Sequence, residues 1–355
     1  MQIITIILSI IIWNFSNTAT KADLGHNIQS DLPRNFVRDG SVDYTNYMQN
    51  AIAQHSDIIF PGFPILINDD GLEIGSNKTI TFLPGSELRL KPTSKGKYVI
   101  IRIKNATNVT LKNPVIKGDK LSHLGSDGEW GMGIGIYGSN NITLINPRVF
   151  NCWGDGIYLG TSSKVTNRNV SITNPYLMGN RRDGISIISV VGLKLENAYA
   201  AYSNGTLPMT GINFEPNSAT DELKNIIVSN PRTEYNGGRG IQVAIRQLLG
   251  GGHKNIDITI IKPIDISAKT NAVKVSCKRK SEDEGGSVSG SVRIINPSWK
   301  KTRSGIPLLV SVDQPNLKTI ITSAKVTNLK GGLLTSGSTN SLLKRGVYKG
   351  DCIIN

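Results

Sequence analysis

Aromatic residues make up only 6% of the 355-residue chain, and its three cysteines, Cys152, Cys277 and Cys352, lie far apart. There is no CxxC pair and no disulfide framework, so at most one bridge could form and stability has to come from packing. No RNA-type aromatic signature and no C2H2 spacing accompanies the charge. Beyond residue 13 no apolar stretch is long enough to span a bilayer. What is plentiful is glycine, at 37 residues, with asparagine, threonine, serine and isoleucine. That composition is β-rich and turn-rich, not helical.

The net charge of +14 fits a nucleic acid, an anionic membrane or an acidic polymer as partner, or simply solubility. The densest basic run, Lys278-Arg279-Lys280, is followed by Glu282-Asp283-Glu284 and reads as a solvated loop, so no nucleic acid is expected. Ile3 to Trp13 are almost wholly apolar, and the small polar stretch Ser16 to Ala22 follows. This predicts a signal peptide over residues 1–22, cleaved near Ala19 or Ala22, and a secreted or periplasmic protein. The leader lacks Lys and Arg before its apolar run, and an uncleaved anchor is the alternative.

Two phrases recur. One is a strand closing on Asn-Pro: 108–114, 141–147, 169–175 and 225–231, with looser copies ending at Asn197, Pro263, Pro297 and Asn328. The other is a small residue, an aliphatic anchor and an alternating strand. It occurs at Gly133-Ile134, Gly156-Ile157, Gly184-Ile185, Gly211-Ile212, Gly240-Ile241, Ala272-Val273, Gly305-Ile306 and Gly332-Leu333. Successive anchors lie 23 to 33 residues apart, and the two phrases alternate throughout. Both phrases alternate apolar with polar residues, the period of a strand with one buried face. A repeat of two or three short strands has no core of its own. Stacked coil on coil it gains one, each strand pairing in parallel with its copy in the next turn. Neither a leucine-rich consensus nor a four-stranded propeller unit is present. The expected fold is all-β, a right-handed single-stranded parallel β-helix.

Tyr47, Met48, Ala51 and Ile52 share one helical face, which predicts a short helix over Thr45 to Ala53 capping the open end. The organisation expected is an extended arm and capping helix over 23–57, the solenoid over 58–341 and a C-terminal cap over 342–355. The oligomer expected is a monomer or a trimer.

The stretch Asp43 to Ala53, followed by Ile59-Phe60-Pro61-Gly62 and Gly85-Ser86-Glu87-Leu88, resembles the opening of pectin-lyase-like β-helix proteins. Within these it is most similar to the polygalacturonase-like branch related to glycoside hydrolase family 28, over most of residues 40–340. That branch carries Asn-Thr-Asp-Gly, then Asp-Asp one coil on, and later Gly-His-Gly and Arg-Ile-Lys. Trp153-Gly154-Asp155-Gly156-Ile157 matches the first phrase, and Arg182-Asp183-Gly184-Ile185 matches the second in part, with Arg182 replacing its first aspartate. The third phrase is absent, and Arg102-Ile103-Lys104 lies several coils too early. The resemblance implies a carbohydrate-active solenoid acting on a polysaccharide, by a route other than ordinary pectin hydrolysis.

Registered on the anchors, the residues two before form one surface column: Met132, Asp155, Asp183, Thr210, Arg239 and Asn271. The residues one after form another: Gly135, Tyr158, Ser186, Asn213, Gln242 and Lys274. Asp155 and Asp183 then stand one strand spacing apart, about 4.8 Å. Carboxylates that close split their pKa values, which suits an acid with a base or nucleophile. Asp before Gly is also a common turn. Glu215 offers a third carboxylate beside them. Glu129, Trp130 and Trp153 are read as sugar-binding positions, the indoles as stacking platforms, and His123 as an exposed loop residue. Arg182, Arg239 and Lys274 could grip an anionic polymer, with Asn213 and Tyr158 alongside. Arg239, Lys274 and Tyr158 could equally serve a lyase, which needs a cation on the uronate carboxyl and a base for the C5 proton. No cofactor is called for; Asp155 and Asp183 could ligate calcium, though no dense Asp/Asn loop signals it. The reading is a glycoside hydrolase with paired carboxylates. A polysaccharide lyase and a non-catalytic glycan-binding solenoid are the alternatives.

Overall fold

The asparagines that close the first phrase are what turn the chain. Asn113, Asn146, Asn174, Asn197, Asn230 and Asn296 all adopt left-handed backbone, with φ between 51° and 56°. Asparagine tolerates that region better than other residues bearing a Cβ. Their amides stack into a ladder: Asn146 donates to Asn113 (2.8 Å), Asn174 to Asn146 (2.9 Å), Asn197 to Asn174 (2.9 Å) and Asn230 to Asn197 (3.1 Å). From Asn113 to Asn230 each coil bends at the same place and bonds its neighbour there; Lys262 keeps the bend (φ 51°) in the next coil without an amide to continue the ladder.

The computed structural model describes residues 25–355 apart from 282, 284 and 350; the signal peptide expected over 1–22 lies outside the described residues. The chain winds through three parallel sheets of 12, 10 and 10 strands, and every ladder within them is parallel. One coil takes Asn140–Ile145 into the first sheet, Arg148–Phe150 into the second and Ile157–Gly160 into the third. The anchors of the third sheet pair as the repeat predicts: Ile134 with Ile157, Ile157 with Ile185, Ile185 with Ile212, Ile212 with Ile241 and Ile241 with Val273. All are buried in the core. The small residue before each anchor is required by close approach. A Cβ at Gly184 would lie 2.5 Å from the Gly211 carbonyl and 2.8 Å from Ala200 Cβ.

The last two anchors differ from expectation. Leu308, not Ile306, pairs with Val273, because Pro307 has no N–H for the ladder and delays the strand. Leu333 is exposed, in an isolated antiparallel bridge with Thr327, and its place in the third sheet passes to Val347–Lys349. The cap expected from 342 is accordingly redrawn: α2 spans Ser336–Arg345, and the tail returns as strands that extend two of the sheets.

At the other end α1 (Thr45–Gln54) covers the core with Met48, Ala51 and Ile52. Tyr47 is exposed, and Tyr44, one turn before Met48, is buried in its stead. The expected extended arm holds a short strand, His26–Asn27, paired with Asp57–Phe60, and a turn with Ile28 in the core. Cys152 and Cys277 are buried free thiols. Among the described residues no helix is long and apolar enough to cross a membrane.

Candidate active site

The column register brings Asp155, Asp183 and Glu215 together, and Arg182 is their hub. Its Nη1 lies 3.3 Å from Asp155 Oδ2 and 3.5 Å from Asp183 Oδ2. Its Nη2 lies 3.0 Å from Glu215 Oε2, and its Nε 3.7 Å from Glu129 Oε2. Four carboxylates thus converge on one guanidinium. The residue that replaces an aspartate in the polygalacturonase phrase occupies the space between the two that remain. Asp155 and Asp183 were expected on the outer surface; both are wholly buried, with Arg182 bonded across them. Glu129 and Glu215 are the members that reach solvent, each with 32% of its side chain exposed.

Each buried aspartate also caps the next coil. Asp155 Oδ1 accepts the Asp183 N–H (3.0 Å), and Asp183 Oδ1 accepts the Thr210 N–H (2.7 Å). The turn chemistry read from Asp-Gly is therefore present, but it reaches across coils instead of closing locally. Asp183 Oδ2 further receives Ser186 Oγ (3.0 Å), Asn213 Nδ2 (3.0 Å) and Arg182. Burial pushes both carboxyls up, Asp155 to about 6 against the pull of Arg182, and Asp183 to about 8 with the charge of Asp155 adding to burial. They titrate as a pair that shares a proton near neutrality. Burial drives the Arg182 guanidinium down, but Asp155, Asp183, Glu215 and Glu129 outweigh it and hold it above its usual range. A calcium ion between the aspartates would have to displace that cation.

Two hollows flank the hub. One, of about 260 Å³, is lined by Trp130, Tyr137, Tyr158, Lys97, Val99 and Met132. Trp130 is 49% exposed and available as a platform. The other, of about 480 Å³, is lined by Arg182, Glu215, Asn217, Arg246 and Lys278 among others. Tyr158 joins the two through its hydroxyl, which accepts from Asn217 Nδ2 (3.1 Å). Asn213 is buried, bonding Asp183, Glu215 (2.9 Å) and Gln242 (3.0 Å). Arg239 and Lys274 continue the two columns, one and two coils past the Thr210 and Asn213 coil. Burial lowers both, and Arg239 lowers Lys274 further while Glu215 opposes it.

Trp153 is not a platform. It is 9% exposed, stacked on His123 at 3.7 Å, with the Arg181 guanidinium 3.9 Å from its ring and its indole N–H bonded to the Asp127 carbonyl. His123, expected in solvent, is buried: its Nδ1 lies 2.7 Å from Asp119 Oδ2, and Tyr98 donates to the other Asp119 oxygen. This cluster, missed in the sequence, folds the loop bearing Glu129 and Trp130 back onto the solenoid. The i, i+4 spacing of Asp119 and His123 was its one visible signal.

A family described as the right handed beta helix region matches residues 132–259. The chain is a right-handed parallel β-helix. A curated relative of this β-helix is the SPbeta prophage-derived protein YorA of Bacillus subtilis (strain 168), 25% identical over 162 residues; the match covers 41% of this chain and 28% of YorA. The β-helix therefore spans less than a third of that relative's length. Among solved structures it is similar to the N-terminal fragment of bacteriophage phi29 gene product 12. There the TM-score is 0.64 at 13% identity, covering 87% of this chain and 58% of that one. It is also similar to a 1,3-α-1,4-β-D-galactose-4-sulfate-3,6-anhydro-D-galactose-2-sulfate 4 galactohydrolase. There the TM-score is 0.62 at 10% identity, covering 93% and 90%. At such identities the likeness is one of fold. The narrower link to the polygalacturonase branch is not supported: its second aspartate pair is broken by Arg182 and its third phrase is missing.

Proposed function

We propose that this β-helix is an exported carbohydrate-active protein, a glycoside hydrolase that cleaves an acidic or decorated polysaccharide. The observation that carries the reading is the convergence of Asp155, Asp183, Glu215 and Glu129 on Arg182 between two open hollows. The Asp155–Asp183 pair supplies a proton that stays bound near neutrality, as a general acid needs. Glu215, held by Arg182 and Asn213, is the accessible carboxylate that acts as base or nucleophile. An anionic group on the substrate draws the Arg182 guanidinium toward itself and uncovers Asp155. Trp130 and Tyr158 hold sugar rings on one side, and Arg239, Arg246, Lys274 and Lys278 hold acidic groups on the other. The similar galactohydrolase is named for a sulfated polymer, which agrees with that cationic side.

A lyase is the second reading, favoured by Lys274, whose ammonium is pulled down by burial and by Arg239 toward the range of a usable base. The test is a screen of the mature protein on acidic, sulfated and neutral polysaccharides, reading reducing ends and unsaturated uronate absorbance together. Hydrolysis gives reducing ends alone, lost in Asp155→Asn and Glu215→Gln. Both signals rising together, and lost in Lys274→Ala, replaces the hydrolase by the lyase. Retained glycan binding with neither signal makes the protein a binding solenoid.

A further inference from the structure

The chain has four histidines, and two of them meet at the N-terminal end of the solenoid, far in sequence from the carboxylate cluster. His26 lies in the strand that starts the first sheet, and Asp31 ends the turn after it. His55 is the residue on which α1 closes, its N–H bonded to the Ala51 carbonyl (3.1 Å). His26 Nε2 lies 2.5 Å from Asp31 Oδ2. The imidazoles of His26 and His55 are stacked with centroids 3.5 Å apart and planes at 12°. One donor atom from each of the three residues falls within 4.8 Å of the others.

We propose that His26, Asp31 and His55 bind a divalent transition-metal ion of the zinc class, tying the arm and α1 to the first coil. Two imidazole nitrogens and a carboxylate oxygen are the donors such an ion selects, whereas calcium and magnesium take oxygen sets. Near-parallel face-to-face stacking is not the arrangement aromatic rings prefer by themselves. Imidazoles ligate in their ring planes, so binding turns both rings out of the stack about their side-chain torsions. The site has the freedom to do so: His26 and Asp31 are each 27% exposed. Lys78 Nζ, bonded to the His55 carbonyl (2.5 Å), fixes the backbone from which that imidazole projects. Solvent supplies the fourth ligand. The three residues come from three separate elements, so the ion would act as a cross-link. None of them belongs to the carboxylate site, and the inference stands whatever that site does.

The test uses mature protein carrying no histidine tag, stripped with EDTA and titrated with Co²⁺ and with Zn²⁺. The expected result is one equivalent bound at micromolar or lower concentration, with the visible absorption of low-coordinate cobalt, displaced by Zn²⁺. Affinity should fall at least tenfold in His26→Ala, His55→Ala and Asp31→Asn. Zn²⁺ should raise the melting temperature of the wild type and leave these variants unmoved. Matching melts of all four proteins in EDTA show that the variants fold. No stoichiometric binding at about 100 μM metal, or undiminished binding in both histidine variants, overturns the proposal.

Discussion

Burial raises the carboxyls of Asp155 and Asp183, and the consequence is a pH dependence of stability. Both folded-state values are raised above the unfolded ones, to about 6 and about 8. Above roughly pH 4 the unfolded chain has released protons that the folded chain keeps, so stability falls as pH rises through the window to about 8. Asp265, pushed up to about 7 by burial, adds a slope of the same sign. Asp155→Asn removes one member of the pair and keeps the size of the side chain. Its loss of stability between pH 5 and pH 8, measured by urea denaturation, should be smaller than that of the wild type by about 1–2 kcal/mol. Parallel curves would place the charge elsewhere. The sequence named Asp155, Asp183 and Glu215 because a repeat register is enough to align them. It did not reveal that Arg182 would lie across them, since side-chain direction outside the ladder is set by packing. For the same reason Trp153 read as exposed: its glycine neighbours suggested a loop, and the fold-back of residues 119–129 over it leaves no periodic trace.

The strand phrases were legible because each of their residues answers to one local demand: Asn for left-handed backbone, Gly for close approach, Ile for the interior. Asn174 illustrates the first. It has a φ of 52° and bonds Asn146 and Asn197 in the ladder. Asn174→Ala loses both bonds and pays for left-handed backbone, costing about 2–3 kcal/mol by urea melts. Asn174→Gly loses the bonds and keeps the turn, costing about 1 kcal/mol. Equal losses would mean that the ladder, not the backbone, selects asparagine there. The register was illegible where the demand changed. Gly305-Ile306 looks like every other anchor pair, and only the missing N–H of Pro307 moves the strand two residues on. At Leu333 the phrase recurs by composition alone, in an isolated bridge to Thr327 just before α2.

Along the whole solenoid the third sheet carries an aromatic hollow on one side of Arg182 and a cationic one on the other. With a net charge of +14, the molecule attracts a polyanion before any specific contact forms. On the proposed function, binding of an acidic polysaccharide should weaken by about tenfold or more from 50 to 500 mM NaCl, as the screening length shortens to a few ångströms. A neutral polysaccharide of matched length should show little change by the same titration. Equal salt responses would deny the cationic hollow a part in recognition.

The ladders also decide how the protein answers to force. In the sheets each coil pairs with the coil before and the coil after, through three strands, and from Asn113 to Asn230 through the asparagine ladder as well. Tension applied between the two termini is borne by the outermost coil, with the coils behind it still closed. That coil peels away first and frees about 90–100 Å of extended chain, the reach of some 27 residues. The next then takes the load. A molecule built this way yields coil by coil from its ends, and the carboxylates around Arg182, midway along, are the last to feel the pull.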